Sequence, residues 1–203
     1  MSEYTVKPLD AESWDAFAAL AEKHNGVWGG CWCTWFHRGV GRDFGKDPQG
    51  AEGNRAWKEC LVREGSAHAA LVFDGDTAVA WCEYGSPEEL PHIYYLKEYQ
   101  AGLDVLPLFR LTCLFVDRDY RRKGVAAVAV QGALDLIAEA GGGLVEAYPR
   151  DTQGEKTSAS YLYNGTRSLF EGAGFSYDRP VGKKNCVMRK TVEPSQNQVA
   201  ATS

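Results

Sequence analysis

The apolar positions change period as the chain runs. Residues 4–9 form a short β-favouring run, and Asp10 then stands where a helix N-cap would, ahead of Trp14, Phe17, Leu20 and Ala21 at helical spacing. Residues 54–63 repeat that spacing with Ala56, Trp57, Cys60 and Leu61, after a turn signal at Asp47-Pro48-Gln49-Gly50. From Ala67 the period shortens: residues 68–73 and 77–84 read as antiparallel strands joined by the tight turn Asp74-Gly75-Asp76. An irregular aromatic stretch through Tyr94, Tyr95 and Tyr99 leads to residues 111–116, which are almost continuously apolar, as a strand covered on both faces would be. A helix over 124–140 follows, with Val130, Leu134 and Ile137 on one stripe and Gly141 as its stop, and then a buried strand over 143–148. A short helix over 163–171, a stop at Gly172-Ala173-Gly174 and strands near 175–177 and 186–192 complete the pattern. The interleaving predicts the α/β class, α+β by a stricter criterion, with one mostly antiparallel sheet flanked by helices.

Between the first two helices no period holds. Gly26-Val27-Trp28-Gly29-Gly30-Cys31-Trp32-Cys33-Thr34-Trp35-Phe36-His37 combines flexible glycines with a heavy aromatic load and reads as an ordered functional loop. Cys31 and Cys33 are one residue apart, closer than a zinc pair, and no second pair follows, so packing between the tryptophans is the expected role and no metal is expected.

At 203 residues, 44% of them hydrophobic, the chain is read as one domain over 1–192 with a polar tail over 193–203 expected to be disordered. A net charge of −5 argues against a general nucleic-acid binder. No apolar run nears the roughly 20 residues of a membrane-spanning helix. The first six residues show no basic stretch followed by an apolar one, and the six cysteines are scattered, so reduced thiols in a cytoplasm are the expectation.

The informative segment is Val116-Asp117-Arg118-Asp119-Tyr120-Arg121-Arg122-Lys123-Gly124-Val125-Ala126, between a predicted buried strand and a predicted helix. A helix N-terminus offers unpaired backbone N–H groups and partial positive charge, which suits a pyrophosphate. Gly124 lets the backbone approach a ligand, and Arg121, Arg122 and Lys123 supply charge-assisted contacts. A solvated basic loop capping a helix is the competing reading. Neither the P-loop nor the dinucleotide glycine pattern is present.

The sequence here resembles the GNAT superfamily of acyl-CoA-dependent N-acetyltransferases: Arg121-x-x-Gly124-x-Ala126 after Val116-Asp117-x-x-Tyr120 looks like its acetyl-CoA loop. Leu169-Phe170-Glu171-Gly172-Ala173-Gly174-Phe175 looks like its Leu-Tyr-Glu-x-x-Gly-Phe helix end. Gly30-Cys31-Trp32-Cys33, Gly53-Asn54-Arg55, Val145-Glu146-Ala147-Tyr148-Pro149 and Tyr163-Asn164-Gly165-Thr166 resemble a bacterial branch of it. The resemblance implies acetyl-CoA as acyl donor, transfer to a primary amine of a small molecule, peptide or protein, and a monomer or homodimer. It implies a splayed pair of strands, 111–116 and 144–148, with the pantetheine arm in the gap, backbone of Phe115 and Val116 on its amides, and the N–H of Leu114 or Phe115 on the thioester carbonyl. Val125, Asn164 and Phe170 complete the implied cofactor contacts.

Acyl transfer to an amine needs a deprotonated nucleophile, a stabilised oxyanion and a proton for the departing thiolate. Glu146, inside an apolar run, is the first candidate base, equally readable as a solvent-facing edge residue; Glu83 is the next, and His37 a third, more simply read as structural. Phe170 stands where the superfamily often has a tyrosine acid, so Tyr148 or Tyr163 is the expected donor, ahead of Tyr161. Trp28, Trp32, Cys33 and Trp35 are expected to shape the acceptor pocket or plug the core. An acyl-CoA-binding module without turnover and a redox or metal protein built on Cys31 and Cys33 are the alternatives from other classes.

Overall fold

A computed structural model describes residues 4–38, 50–155, 157–158 and 161–196. In chain order the elements are β1 (Thr5–Pro8), α1 (Trp14–Lys23), α2 (Gly50–Arg63), β2 (His68–Asp74), β3 (Thr77–Gly85), α3 (Leu96–Ala101), β4 (Phe109–Val116), α4 (Val125–Glu139), β5 (Gly143–Ala147), α5 (Arg167–Gly172), β6 (Ser176–Val181) and β7 (Asn185–Val192), with short 3-10 turns at Trp35–His37 and Arg118–Tyr120. The strands make one seven-stranded sheet in the order β1-β2-β3-β4-β5-β7-β6. Every neighbouring pair is antiparallel except β4 and β5. This is the expected class.

Strands β2 and β3 are buried on both faces because each face is roofed. On one side α4 lays Val130, Ala133, Leu134 and Ile137 against Val72, Ala80 and Leu111; burying each large side chain of that stripe is worth roughly 1.5–3 kcal/mol. The helix sits close because position 132 is glycine: a Cβ there would lie 2.6 Å from Val6 Cγ1. On the other side α1 and the loop after it pack Trp14, Phe17 and Trp32 onto Leu71, Trp81 and Phe115. A smaller cluster of Ile93, Tyr99, Tyr148, Val181 and Val187 lies at the β5–β7 end.

Two irregularities set up the site. Cys82 pairs with Leu114 but Tyr84 with Leu111, so two steps of β3 face three of β4, and β4 carries a bulge at Thr112 and Cys113. Pairing of β4 with β5 ends at Leu111 opposite Ala147; Pro149 then turns the chain toward β7, where its carbonyl accepts from Cys186 N at 3.1 Å. The free stretch of β4 is met instead by the segment before α5, whose Tyr163 carbonyl accepts from Leu114 N at 2.6 Å.

Some boundaries differ from the sequence reading. The helix expected over 163–171 is only Arg167–Gly172, because Gly165 takes φ +72° and Thr166 caps the helix, its Oγ1 accepting from Leu169 N at 3.3 Å. Helix α1 is capped at Ser13, while Asp10 Oδ1 holds the preceding turn through the N–H groups of Glu12 and Ser13. Helix α3 falls in the stretch expected to be irregular, where it places Tyr99 in the core. The Asp47-Pro48-Gln49 turn, and the expected tail beyond residue 196, lie outside the described residues.

Candidate active site

A cleft of about 670 Å³ opens where β4 and β5 part. Its walls are Leu114, Phe115 and Val116 of β4, Arg118, Arg121, Arg122 and Ala126 at the start of α4, and Leu162, Gly165, Thr166 and Leu169 opposite, with Trp28 at one end. Helix α4 begins at Gly124 (φ +80°), around which a Cβ would meet nothing within 4 Å, and Ala127 N–H closes the first turn onto Gly124 O at 2.9 Å. The preceding amides therefore end a 15-residue helix beside two exposed arginines, a ready anion site. Arg121 is steadied by its Nε donating to Val116 O at 3.3 Å.

Backbone direction decides which β4 groups face this gap. Asp117 N donates to Val79 O of β3 at 2.8 Å, and alternate residues of a strand point the same way. The Phe115 amide is thereby on the β3 side, whereas Leu114 and Val116 face the gap. Leu114 N–H is already engaged by Tyr163 O, which leaves Val116 N–H as the gap-facing donor. Neither member of the expected pair, Leu114 or Phe115, presents a free amide; their side chains line the cleft instead.

A second cavity of about 610 Å³ adjoins the first, and Trp28 borders both. Trp28, Trp35, Phe36, Tyr94, Tyr95, Tyr161 and Tyr163 give it aromatic walls, with Cys31, Cys33 and Cys113 at its floor and Arg38 and Arg150 at its sides. Trp35 stacks on Tyr94 at 4.1 Å, and Tyr163 approaches Tyr94 at 5.3 Å and Trp28 at 6.3 Å between ring centroids. Along 161–163 the side chains alternate: Tyr161 and Tyr163 enter this cavity while Leu162 enters the cleft. One short segment is thus the partition between them. Burial, the neighbouring Tyr94 phenol and the hydrogen bond to it push the Tyr163 hydroxyl well above the ordinary phenol range. Burial likewise raises the three thiols, so they are poor nucleophiles.

Several expected site residues lie elsewhere. Glu146 is fully buried on the α3 side, where its carboxylate accepts from Tyr99 (2.7 Å), Tyr148 (3.0 Å) and Arg189 Nε (2.9 Å). Tyr148 shares that cluster and, like Glu146, lines neither of these two cavities: β5's register turns residues 146 and 148 toward Arg110 and Arg189. Glu83 is buried against Lys58 Nζ at 2.6 Å and Thr112 Oγ1 at 2.8 Å. Burial would raise its pKa, but the Lys58 charge outweighs this and holds it at about 2. His37 shares the knot: Lys58 Nζ lies 2.9 Å from its Nε2 and Glu89 O 3.0 Å from its Nδ1, which assigns the proton to Nδ1, and burial with the Lys58 charge lowers its pKa. Neither residue lines the cavity as a free base.

On the binding side, Lys123 turns away and lies over the Tyr120 ring at 5.0 Å, beside a separate cavity bordered by Asp74, Asp76 and Asp119 whose acidity does not suit a phosphate. Val125 and Phe170 are core residues, Phe170 packing edge-on to Phe175 at 5.2 Å while Leu169 takes the place on the cleft wall. Asn164 is buried and donates to Tyr148 O at 3.1 Å. Trp32 stacks on Trp14 at 6.3 Å in the core, whereas Trp28, Cys33 and Trp35 do line the aromatic cavity. The sequence reading missed Arg38, Tyr94, Tyr95, Cys113 and Arg150, which come to the cavity from four separated segments and share no motif.

The family model described as Acetyltransferase (GNAT) family matches residues 32–161, more than half of the chain, and the chain belongs to that family. No curated protein matches it. Among solved structures, the fold is similar to a putative GNAT-family acetyltransferase from Desulfovibrio desulfuricans (14% identity, TM-score 0.53, 94% of this chain and 99% of that one). It is similar also to a GNAT-family acetyltransferase from Streptococcus agalactiae (14%, 0.52, 94% and 96%) and to the ribosomal-protein-S5-alanine acetyltransferase from Vibrio fischeri (13%, 0.50, 95% and 94%). At these identities the likeness concerns the fold.

Proposed function

We propose that the protein is an N-acyltransferase that takes an acetyl group from acetyl-CoA and places it on a primary amine. The observation that carries this is the pair of cavities meeting at Trp28, one with arginines and a helix N-terminus, the other aromatic. The residues of the first fit the donor: the space above Gly124 admits backbone approach, Arg121 and Arg122 suit the phosphates, and Val116 N–H faces the gap. When bound, acetyl-CoA supplies the activated acyl group. The aromatic walls favour the acceptor's neutral amine by desolvation, and no carboxylate lines that cavity among the described residues, so the amine enters as its free base rather than losing its proton to Glu83 or Glu146. Tyr163, on the partition, lines the aromatic cavity; with its pKa raised it keeps its proton, and turning that O–H from Tyr94 toward the leaving sulfur makes it a hydrogen-bond donor rather than a strong acid.

The test is thiol release from acetyl-CoA across an amine panel, with CoA affinity measured alongside. Amine-dependent release is expected. Tight CoA binding with no release from any amine would replace the enzyme with the acyl-CoA-binding module.

A further inference from the structure

Charge around the aromatic cavity is one-sided. Its lining contains two arginines, Arg38 and Arg150, and no aspartate or glutamate among the described residues. Acids on adjoining segments are committed elsewhere: Glu83 to Lys58, Asp151 to Arg167, and Glu155 to Lys184. Each arginine is also incompletely used. The Nε of Arg38 and the Nε of Arg150 are buried and have no hydrogen-bond partner among the described residues. Buried donors are ordinarily paired, and leaving one unpaired is costly, so each guanidinium keeps positive charge that nothing in the lining offsets.

Both side chains are held in place. Arg38 Nη2 donates to Asn54 Oδ1 at 2.9 Å, and Asn54 is itself fixed by donating to Gly30 O at 2.7 Å. Arg150 lies over the Tyr161 ring at 5.2 Å, and its backbone is bracketed by Thr166 and Asn185. A guanidinium pinned through one edge presents the remainder of its planar fork, which matches a carboxylate better than a single donor does. The rest of the wall is aromatic, and about 610 Å³ is room for a small molecule rather than a folded partner.

We propose that the acceptor is a small amine that also carries a carboxylate, an amino acid with an aromatic or branched apolar body, its carboxylate held by Arg38 and Arg150. This rests on the acyltransferase reading for its reaction but not for its binding chemistry. The deciding experiment therefore reads binding first. Calorimetry with the CoA-saturated protein compares 3-phenylpropionate and 4-methylpentanoate with their primary amides, which have the same body and no charge. The acids are expected to bind about tenfold or more tightly than the amides, and the preference is expected to collapse in Arg38→Gln and Arg150→Gln and to survive in part in Arg150→Lys. The corresponding turnover comparison, phenylalanine and leucine against their amides, is expected to show the same order in kcat/KM. Equal binding of acid and amide by the parent protein, or a preference that persists in both glutamine variants, overturns the proposal. Should Arg38→Gln lose its fold by circular dichroism, Arg150→Gln and the parent comparison still decide. Failure of thiol release with every amine would instead overturn the acyltransferase reading, and the acid-against-amide binding result would stand on its own.

Discussion

At residue scale, Arg121, Arg122 and Lys123 are adjacent in sequence yet divide between two surfaces. The cause is backbone: Arg122 takes φ +61° and Gly124 φ +80°, which swings Lys123 onto Tyr120 while both arginines stay at the cleft. Composition reveals the basic run but not that twist. Replacing Arg121 with alanine is expected to raise the CoA dissociation constant at least about tenfold, since a charge-assisted contact is worth roughly 1.5–3 kcal/mol, with little change in melting temperature because the side chain is exposed. Lys123→Ala is expected to leave CoA affinity close to the parent value; equal losses in both variants would erase the distinction. Tyr163→Phe is expected to lower kcat roughly 10- to 100-fold through a lost hydrogen bond, with CoA affinity kept. Because its hydroxyl is pushed up by burial, the parent kcat profile is expected to show no break belonging to Tyr163 below about pH 10.

At the scale of elements, the strands and long helices were legible because their periods are local: β2, β3, β4 and α4 appear within a few residues of where periodicity puts them. What periodicity could not supply is which face a strand turns to a cavity. Residues 146 and 148 share a face by alternation, but the β4–β5 and β5–β7 registers turn that face to Arg110 and Arg189. The bulge in β4 is equally silent in sequence, and it is what puts Thr112 on Glu83 while leaving Cys113 at the cavity floor. The Lys58–Glu83–His37 knot thus ties α2, β3 and the aromatic loop together beneath that floor. Removing Lys58 leaves Glu83 as a buried unpaired charge, so Lys58→Met is expected to cost about 3–5 kcal/mol of stability in denaturant unfolding. The Glu83 carboxyl has its folded pKa held at about 2, below its ordinary 4.5. Its contribution is therefore complete above pH 4.5 and is lost as pH falls from there through about 2. In Glu83→Gln the acid-induced loss over that window is expected to be smaller than in the parent; an identical profile would mean that the carboxylate is not what the knot depends on.

At the scale of the whole molecule, the two cavities lie on either side of a partition made by residues 161–165, with Trp28 closing one end of each. Separate walls allow both ligands of the proposed reaction to be present together, so direct transfer through a ternary complex is expected. The alternative is a covalent acyl-enzyme, and the only nucleophiles at the aromatic floor are Cys31, Cys33 and Cys113 among the described residues. Burial raises all three thiols above their ordinary pKa, and Cys33 Sγ is further occupied as acceptor of the Trp81 indole N–H at 3.2 Å. A thiol held protonated attacks a thioester poorly. Initial rates measured over a grid of acetyl-CoA and acceptor concentrations are therefore expected to give intersecting reciprocal lines, and intact-mass spectra with acetyl-CoA alone are expected to show no added acetyl group. The variant Cys31→Ser, at the more accessible of these thiols, is expected to keep the same intersecting pattern. Parallel lines together with an acetyl adduct that maps to one of the three cysteines would reverse the assignment, making the floor of the aromatic cavity, rather than the meeting point at Trp28, the place where the acyl group is handed over.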